Sequence, residues 1–188
     1  MLSREKAVGI VRKHVTRQNL FKHILAVEAI MREMAKDIGE DEELWAMVGL
    51  LHDVDFDETY NDPARHGTRS IEILNEEVGG EVSDEILRAI KSHNHEHTGV
   101  LPASKMEYAL IAADAVSGLI VAAALIIPSK KLADVQPSNI SKRFKEKDFA
   151  RNCSRENMLY CEKAGIPKEK FFEIALQALQ EISDELGL

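Results

Sequence analysis

Ser104-Lys105-Met106-Glu107-Tyr108-Ala109-Leu110-Ile111-Ala112-Ala113-Asp114-Ala115-Val116-Ser117-Gly118-Leu119-Ile120-Val121-Ala122-Ala123-Ala124-Leu125-Ile126-Ile127-Pro128 is the most apolar stretch of the chain. It opens on a capping-box pattern, Ser104 followed three residues later by Glu107, and must close before Pro128. From Ala109 to Ile127 it is long and apolar enough to resemble a short transmembrane span. Asp114 decides against that reading, because a carboxylate in a lipid-facing helix costs roughly 2.5 to 3.5 kcal/mol even on a lenient insertion scale. The stretch is expected to be the buried central helix of a helical bundle, with no membrane partner.

The flanking sequence has the same period, and no segment alternates apolar and polar residues over more than a few positions. Helices are expected over Ser3–Val15, over Asn19–Asp37 with a stop at Gly39, and over Glu43–Val54. An acidic loop, Asp55–Pro63, then leads to a helix from His66 to Val78 that ends at Gly79-Gly80. The next helix starts at an N-cap, Ser83, and runs out in the polar segment Ser92–Gly99. The chain is irregular and locally basic from Pro128 to Arg151, and a last helix has Pro167 in its first turn. The fold class is therefore all-α, a single-domain bundle over 1–188.

Composition sets the class of partner. The 188 residues are 45% hydrophobic and 30% charged, an ordinary globular balance, and the formal charge of −8 argues against a generic grip on polymeric nucleic acid. Cys153 and Cys161 lie eight positions apart in one expected helix, about 12 Å along its axis, too far for a disulfide. Reduced thiols and a charged N-terminus without a secretory apolar stretch point to the cytoplasm. The sequence leaves the oligomeric state open, a homodimer included.

The chemistry starts at Leu50-Leu51-His52-Asp53, where a hydrophobic helix face delivers a His and an Asp together. Such a pair alone is weak, because a lone histidine after an apolar run is usually a core residue bonded to backbone. Its company strengthens it. His23 lies upstream on the apolar face with Val27, Ile30 and Met34, and Asp114 lies inside the most apolar helix, where an ionised carboxylate is disfavoured unless paired, hydrogen-bonded or metal-bound. Two imidazoles and two carboxylates suit Fe, Mn, Co, Ni or Zn.

His23, then His52-Asp53, then Asp114, in that order on helices, resembles the HD superfamily of metal-dependent phosphohydrolases. The resemblance spans at least 19–127, leaving 128–188 as a C-terminal helical extension. It implies that the four residues bind a divalent metal, with His52-Asp53 at the catalytic centre. His66 and His93 fall where binuclear relatives place extra ligands, which implies one or two ions. His95 and His97, in a polar loop, are expected to be solvated. The pattern departs from the common His-Asp-Ile-Gly, since Val54-Asp55 follows here, and no Gly-Tyr-Pro follows His93, which disfavours cyclic di-GMP hydrolysis.

What the resemblance implies is hydrolysis of a small anionic phosphoester, a nucleotide or related metabolite, by metal-activated water. Lys91, Arg65, Arg69 and Lys105, beside the proposed ligands in sequence, are candidates for holding phosphate oxygens. Two other readings stay open on the same ligands: an HD-type di-iron oxygenase, and a metal- or nucleotide-binding module without turnover.

Overall fold

The computed structural model describes residues 2–188, and among these the regular structure is helical with no strand. Helix α1 (Arg4–His14) is capped by the Ser3 hydroxyl, which accepts from the Lys6 N–H. Helix α2 (Gln18–Ile38) stops at Gly39, in the left-handed conformation at φ 72°. Asp41 caps α3 (Glu42–Leu51), which ends three residues before the expected Val54 and gives way to turns from His52 to Asp55. The expected acidic loop contains one helical turn, α4 (Phe56–Thr59).

Helix α5 (Thr68–Val78) starts two residues after His66 rather than at it. The cause is Gly67, at φ 80°, where a Cβ would lie 3.2 Å from the Ile90 carbonyl oxygen. His66 is thereby left in a connection pressed against α6 (Asp84–His93), which Ser83 caps as its sequence suggests. The following polar run holds a single turn, α7 (His95–Thr98). Helix α8 (Lys105–Ile126) has its capping box in place, with the Ser104 hydroxyl accepting from the Glu107 N–H and the Glu107 carboxylate accepting from the Ser104 N–H.

Beyond α8 come a 3-10 turn (Leu132–Asp134), α9 (Pro137–Lys145), α10 (Arg155–Met158), α11 (Tyr160–Lys163), α12 (Lys168–Glu181) and α13 (Ser183–Leu186). Pro167 is the residue before α12, not in its first turn. The single helix expected to carry both cysteines is broken, because Ser154 caps α10: Cys153 lies in the preceding loop and Cys161 in α11, both as free thiols.

Helix α8 is the one described helix long and apolar enough to cross a membrane, yet it is the axis around which α2, α6, α9, α10, α11 and α12 pack. Leu110, Val116, Leu119 and Ile120 on α8 are fully buried, each contributing about 1.5–3 kcal/mol over exposure. Phe171 and Phe172, also fully buried, dock α12 onto the same core. Helices α2 and α3 approach closely at Gly49. A Cβ on Gly49 would sit 2.9 Å from Glu28 Cα, Glu28 N and the Val27 carbonyl oxygen, so only glycine lets α3 lie this close. That contact fixes where the end of α3, and so His52, stands relative to α2.

Candidate metal centre

His52 ends α3 with its side chain fully buried. Its Nδ1 lies 2.7 Å from the Gly49 carbonyl oxygen, which can only accept, so the proton sits on Nδ1. Nε2 then carries a lone pair, and it is buried without a hydrogen-bond partner. Asp53, next in sequence, places Oδ2 3.4 Å from that Nε2.

The same construction repeats three times. From α2, the His23 Nδ1 donates to Ser117 Oγ at 3.0 Å, since the Ser117 hydroxyl spends its own proton on the Asp114 carbonyl at 2.9 Å. His23 Nε2 faces Asp114 Oδ1 at 3.2 Å and Asp53 Oδ2 at 3.6 Å. His66 donates from Nδ1 to Asp55 Oδ1 at 2.8 Å and places Nε2 3.3 Å from Asp53 Oδ1. His93, in the last turn of α6, donates from Nδ1 to the Ile90 carbonyl and places Nε2 3.5 Å from Asp53 Oδ1. Four imidazoles are thus anchored through Nδ1 and turn Nε2 inward.

Two groups of three ligand atoms result, His23–His52–Asp114 and Asp53–His66–His93, each with all atoms within 4.8 Å of one another. Asp53 belongs to both, with Oδ2 toward His23 and His52 and Oδ1 toward His66 and His93. The Nε2 atoms of His66 and His93 lie 2.9 Å apart, and two lone pairs face each other there unless positive charge lies between them. Convergent imidazole lone pairs, one an orphan, with two carboxylates among them fit a divalent transition metal.

The electrostatics agree. Burial opposes ionisation of Asp53, but His52, His23 and His66 outweigh it and hold the carboxyl well below the usual carboxylate range. Asp114 is also held low: burial opposes ionisation and the His23 contact overrides it. Burial disfavours charge on His23 and His66, yet carboxylates raise both to about 10, Asp114 and Asp53 acting on the first and Asp53 and Asp55 on the second. The demand of these carboxylates for positive charge is met by imidazolium protons or by cations in the same place.

Asp114 differs from expectation in one respect. Its side chain is 39% exposed and opens toward a cleft instead of being sealed within the core. Sequence reasoning also missed Asp55. It is fully buried and accepts from His66 Nδ1, from the Gly67 N–H at 2.8 Å and from the Ser70 N–H at 3.0 Å, fixing the imidazole and the start of α5 together. Its position directly after His52-Asp53-Val54 was the available signal, read only as a departure from the common motif. Ser117 was likewise visible three residues after Asp114.

The four candidate phosphate contacts are placed variously. Lys91 lies two residues before His93 and makes no ion pair among the described residues. Arg65 pairs with Glu72 at 3.1 Å, and Arg69 with Glu58, Glu72 and Glu76. Lys105 is exposed, bonded to Glu40 at 3.0 Å, and about 13.5 Å along α8 from Asp114. His97 is exposed as expected, but His95 is only partly so: it packs edge-on against Tyr160 with Nδ1 buried. The short α7 turn, which the polar composition concealed, brings it inward.

A family model of the HD domain matches residues 20–124, more than half of the chain, and the chain belongs to that family. No solved structure matches it.

Proposed function

We propose that this HD-domain protein is a phosphohydrolase that cleaves a small anionic phosphoester at a binuclear metal centre. The observation that carries the reading is the convergence of four Nδ1-anchored imidazoles on Asp53, whose two oxygens face opposite ligand groups. His23, His52 and Asp114 would hold one ion and His66 and His93 the other, with Asp53 shared; Fe, Mn, Co, Ni and Zn all suit this set. Bound ions of this kind polarise phosphoryl oxygens and lower the pKa of water from 15.7 to about 7.

The remaining work falls to the chain. The Nδ1 bonds to Gly49, Ser117, Asp55 and Ile90 hold every ring in one tautomer and orientation. Cys153 lines the cleft beside Asp114, but burial pushes its thiol pKa up, which keeps it protonated and a poor nucleophile. The charge of −8 favours a small substrate over polymeric nucleic acid, and free thiols accord with a cytoplasmic setting.

The test is phosphate release, under anaerobic conditions, from a panel of aryl phosphates, phosphodiesters and nucleotides with protein loaded with Mn, Co, Ni or Mg. Release that chelator abolishes and metal restores is the expected result. No release from any member with any metal overturns the proposal, and substrate-dependent oxygen uptake in its place moves the chain to the di-iron oxygenases.

A further inference from the structure

A cleft of about 240 Å³ opens beside the metal centre, with His23 and Asp114 on one wall and Asn152, Cys153, Ser154 and Asn157 on the other. The second wall lies outside residues 20–124, the part of the chain that the family pattern covers. We propose that this wall is the leaving-group subsite and that it selects phosphomonoesters of neutral sugars; the proposal rests on the hydrolytic reading above.

The wall is built, not incidental. The Arg155 guanidinium donates to six backbone carbonyls, two in the last turn of α9 (Arg143 at 3.2 Å and Phe144 at 3.3 Å) and four in the loop that follows (Glu146 at 3.2 Å, Phe149 at 2.5 Å, Ala150 at 2.9 Å and Cys153 at 2.8 Å). The loop is thereby wound around one side chain, and Ala150 accepts a left-handed φ of 44° within it. Gly118 on α8 completes the fit, since a Cβ there would come 2.8 Å from Cys153 Sγ. Arg155 is a positioning residue: it holds the wall and does not line the cleft.

The chemistry of the wall identifies the ligand. No Lys or Arg lines the cleft, and the Asp114 carboxylate does, so a leaving group with a second anionic group is disfavoured. The amide of Asn157, half-buried, and that of Asn152, exposed at the mouth, make no side-chain hydrogen bond among the described residues. Each amide offers two N–H donors and one carbonyl acceptor, and sugar hydroxyls both donate and accept. An apolar alcohol packed over the half-buried Asn157 would leave its amide without a partner in the bound state.

The probes are ribose 5-phosphate, adenosine 5′-monophosphate and phenyl phosphate, tested on Zn-loaded full-length protein. The first two share the ribose 2- and 3-hydroxyls and differ at the anomeric carbon, which carries a hydroxyl in one and a base in the other, and the larger kcat/KM of the two tells which source the cleft fits. Asn152→Ala combined with Asn157→Ala should lower kcat/KM for the preferred sugar phosphate about tenfold more than for phenyl phosphate, the scale of one or two hydrogen bonds. Equal losses on both substrates, or none, overturn the proposal. A readout independent of turnover is an NMR titration with ribose 5-phosphate, in which the side-chain amide signals of Asn152 and Asn157 should shift. Shifts with no release from these probes or from any member of the metal panel above would remove the hydrolytic reading and keep the subsite, whereas turnover without shifts would remove the subsite alone. No shifts, and no release from any member with any metal, would remove both.

Discussion

Gly49→Ala tests how the fold positions the metal centre. The new Cβ would lie 2.9 Å from three atoms of α2, all backbone, so no side-chain rotation relieves the contact. Carbon atoms pack at about 3.5–4.0 Å, so α3 must retreat from α2 by roughly 0.6 Å or more. Overpacking of this kind costs about 1–3 kcal/mol, against which Ala in place of Gly in a helix returns about 1 kcal/mol. Gly9, exposed in α1, isolates the propensity part, because a Cβ added there would meet nothing within 4 Å. Gly9→Ala should therefore stabilise by about 1 kcal/mol, and Gly49→Ala should fall about 1–3 kcal/mol below it. His52 takes its Nδ1 acceptor from residue 49 itself, so displacement of α3 also moves Nε2 out of the cluster. Metal affinity, measured by titration calorimetry with Zn after chelation, should drop at least tenfold, since disturbing what orients a metal-binding histidine costs about 10- to 100-fold in affinity. Thermal melts of wild type and both variants in chelator give the stability arm. Equal stability of the two Ala variants, with unchanged Zn affinity in Gly49→Ala, would refute the claim that the α2–α3 contact sets the position of His52.

Asp55→Ala removes the acceptor of His66 Nδ1 and of two buried N–H groups; metal affinity should fall about 10- to 100-fold by calorimetry, with a loss of stability of several kcal/mol by denaturant melts. Asp114→Ala should differ little from wild type in chelator, because the side chain is 39% exposed, but should forfeit most of the stabilisation of about 2.7 kcal/mol that a hundredfold excess of metal over Kd confers; equal destabilisation with chelator and with Mn would remove Asp114 from the site. Burial opposes ionisation of Asp57, but Arg17 and the Thr16 and Arg17 backbone hold its carboxyl below the usual range. A lowered folded pKa gives stability that is present above the unfolded value, about 3.9, and lost as pH falls through the folded one. Melts from pH 6 to pH 2.5 should therefore show wild type more stable than Asp57→Asn at pH 6 and the gap closing in acid.

The central helix was legible because its signals are local: Ser104 and Glu107 for the start, Pro128 for the stop, and apolar residues all round between them. His23, His52, Asp53 and Asp114 were legible as a set through order and helical context. The details that failed depend on contacts between distant segments. Helix α3 gives way after Leu51 to turns that place Asp53 between His23 and His66, and α5 begins late because Gly67 lies against Ile90. The role of Asp55 depends on backbone N–H groups 12 and 15 residues away. The loop wound around Arg155 has no sequence signature at all, since its six acceptors are backbone carbonyls that any residue types would supply.

The most direct measurement is elemental analysis of full-length protein loaded with Mn under anaerobic conditions and freed of excess metal, beside His52→Ala, His66→Ala and His93→Ala. Two ions per chain in wild type, with one lost and one retained in each of His66→Ala and His93→Ala and also in His52→Ala, is the predicted result. One ion or fewer per chain in wild type, or the same content in all four proteins, would contradict the account.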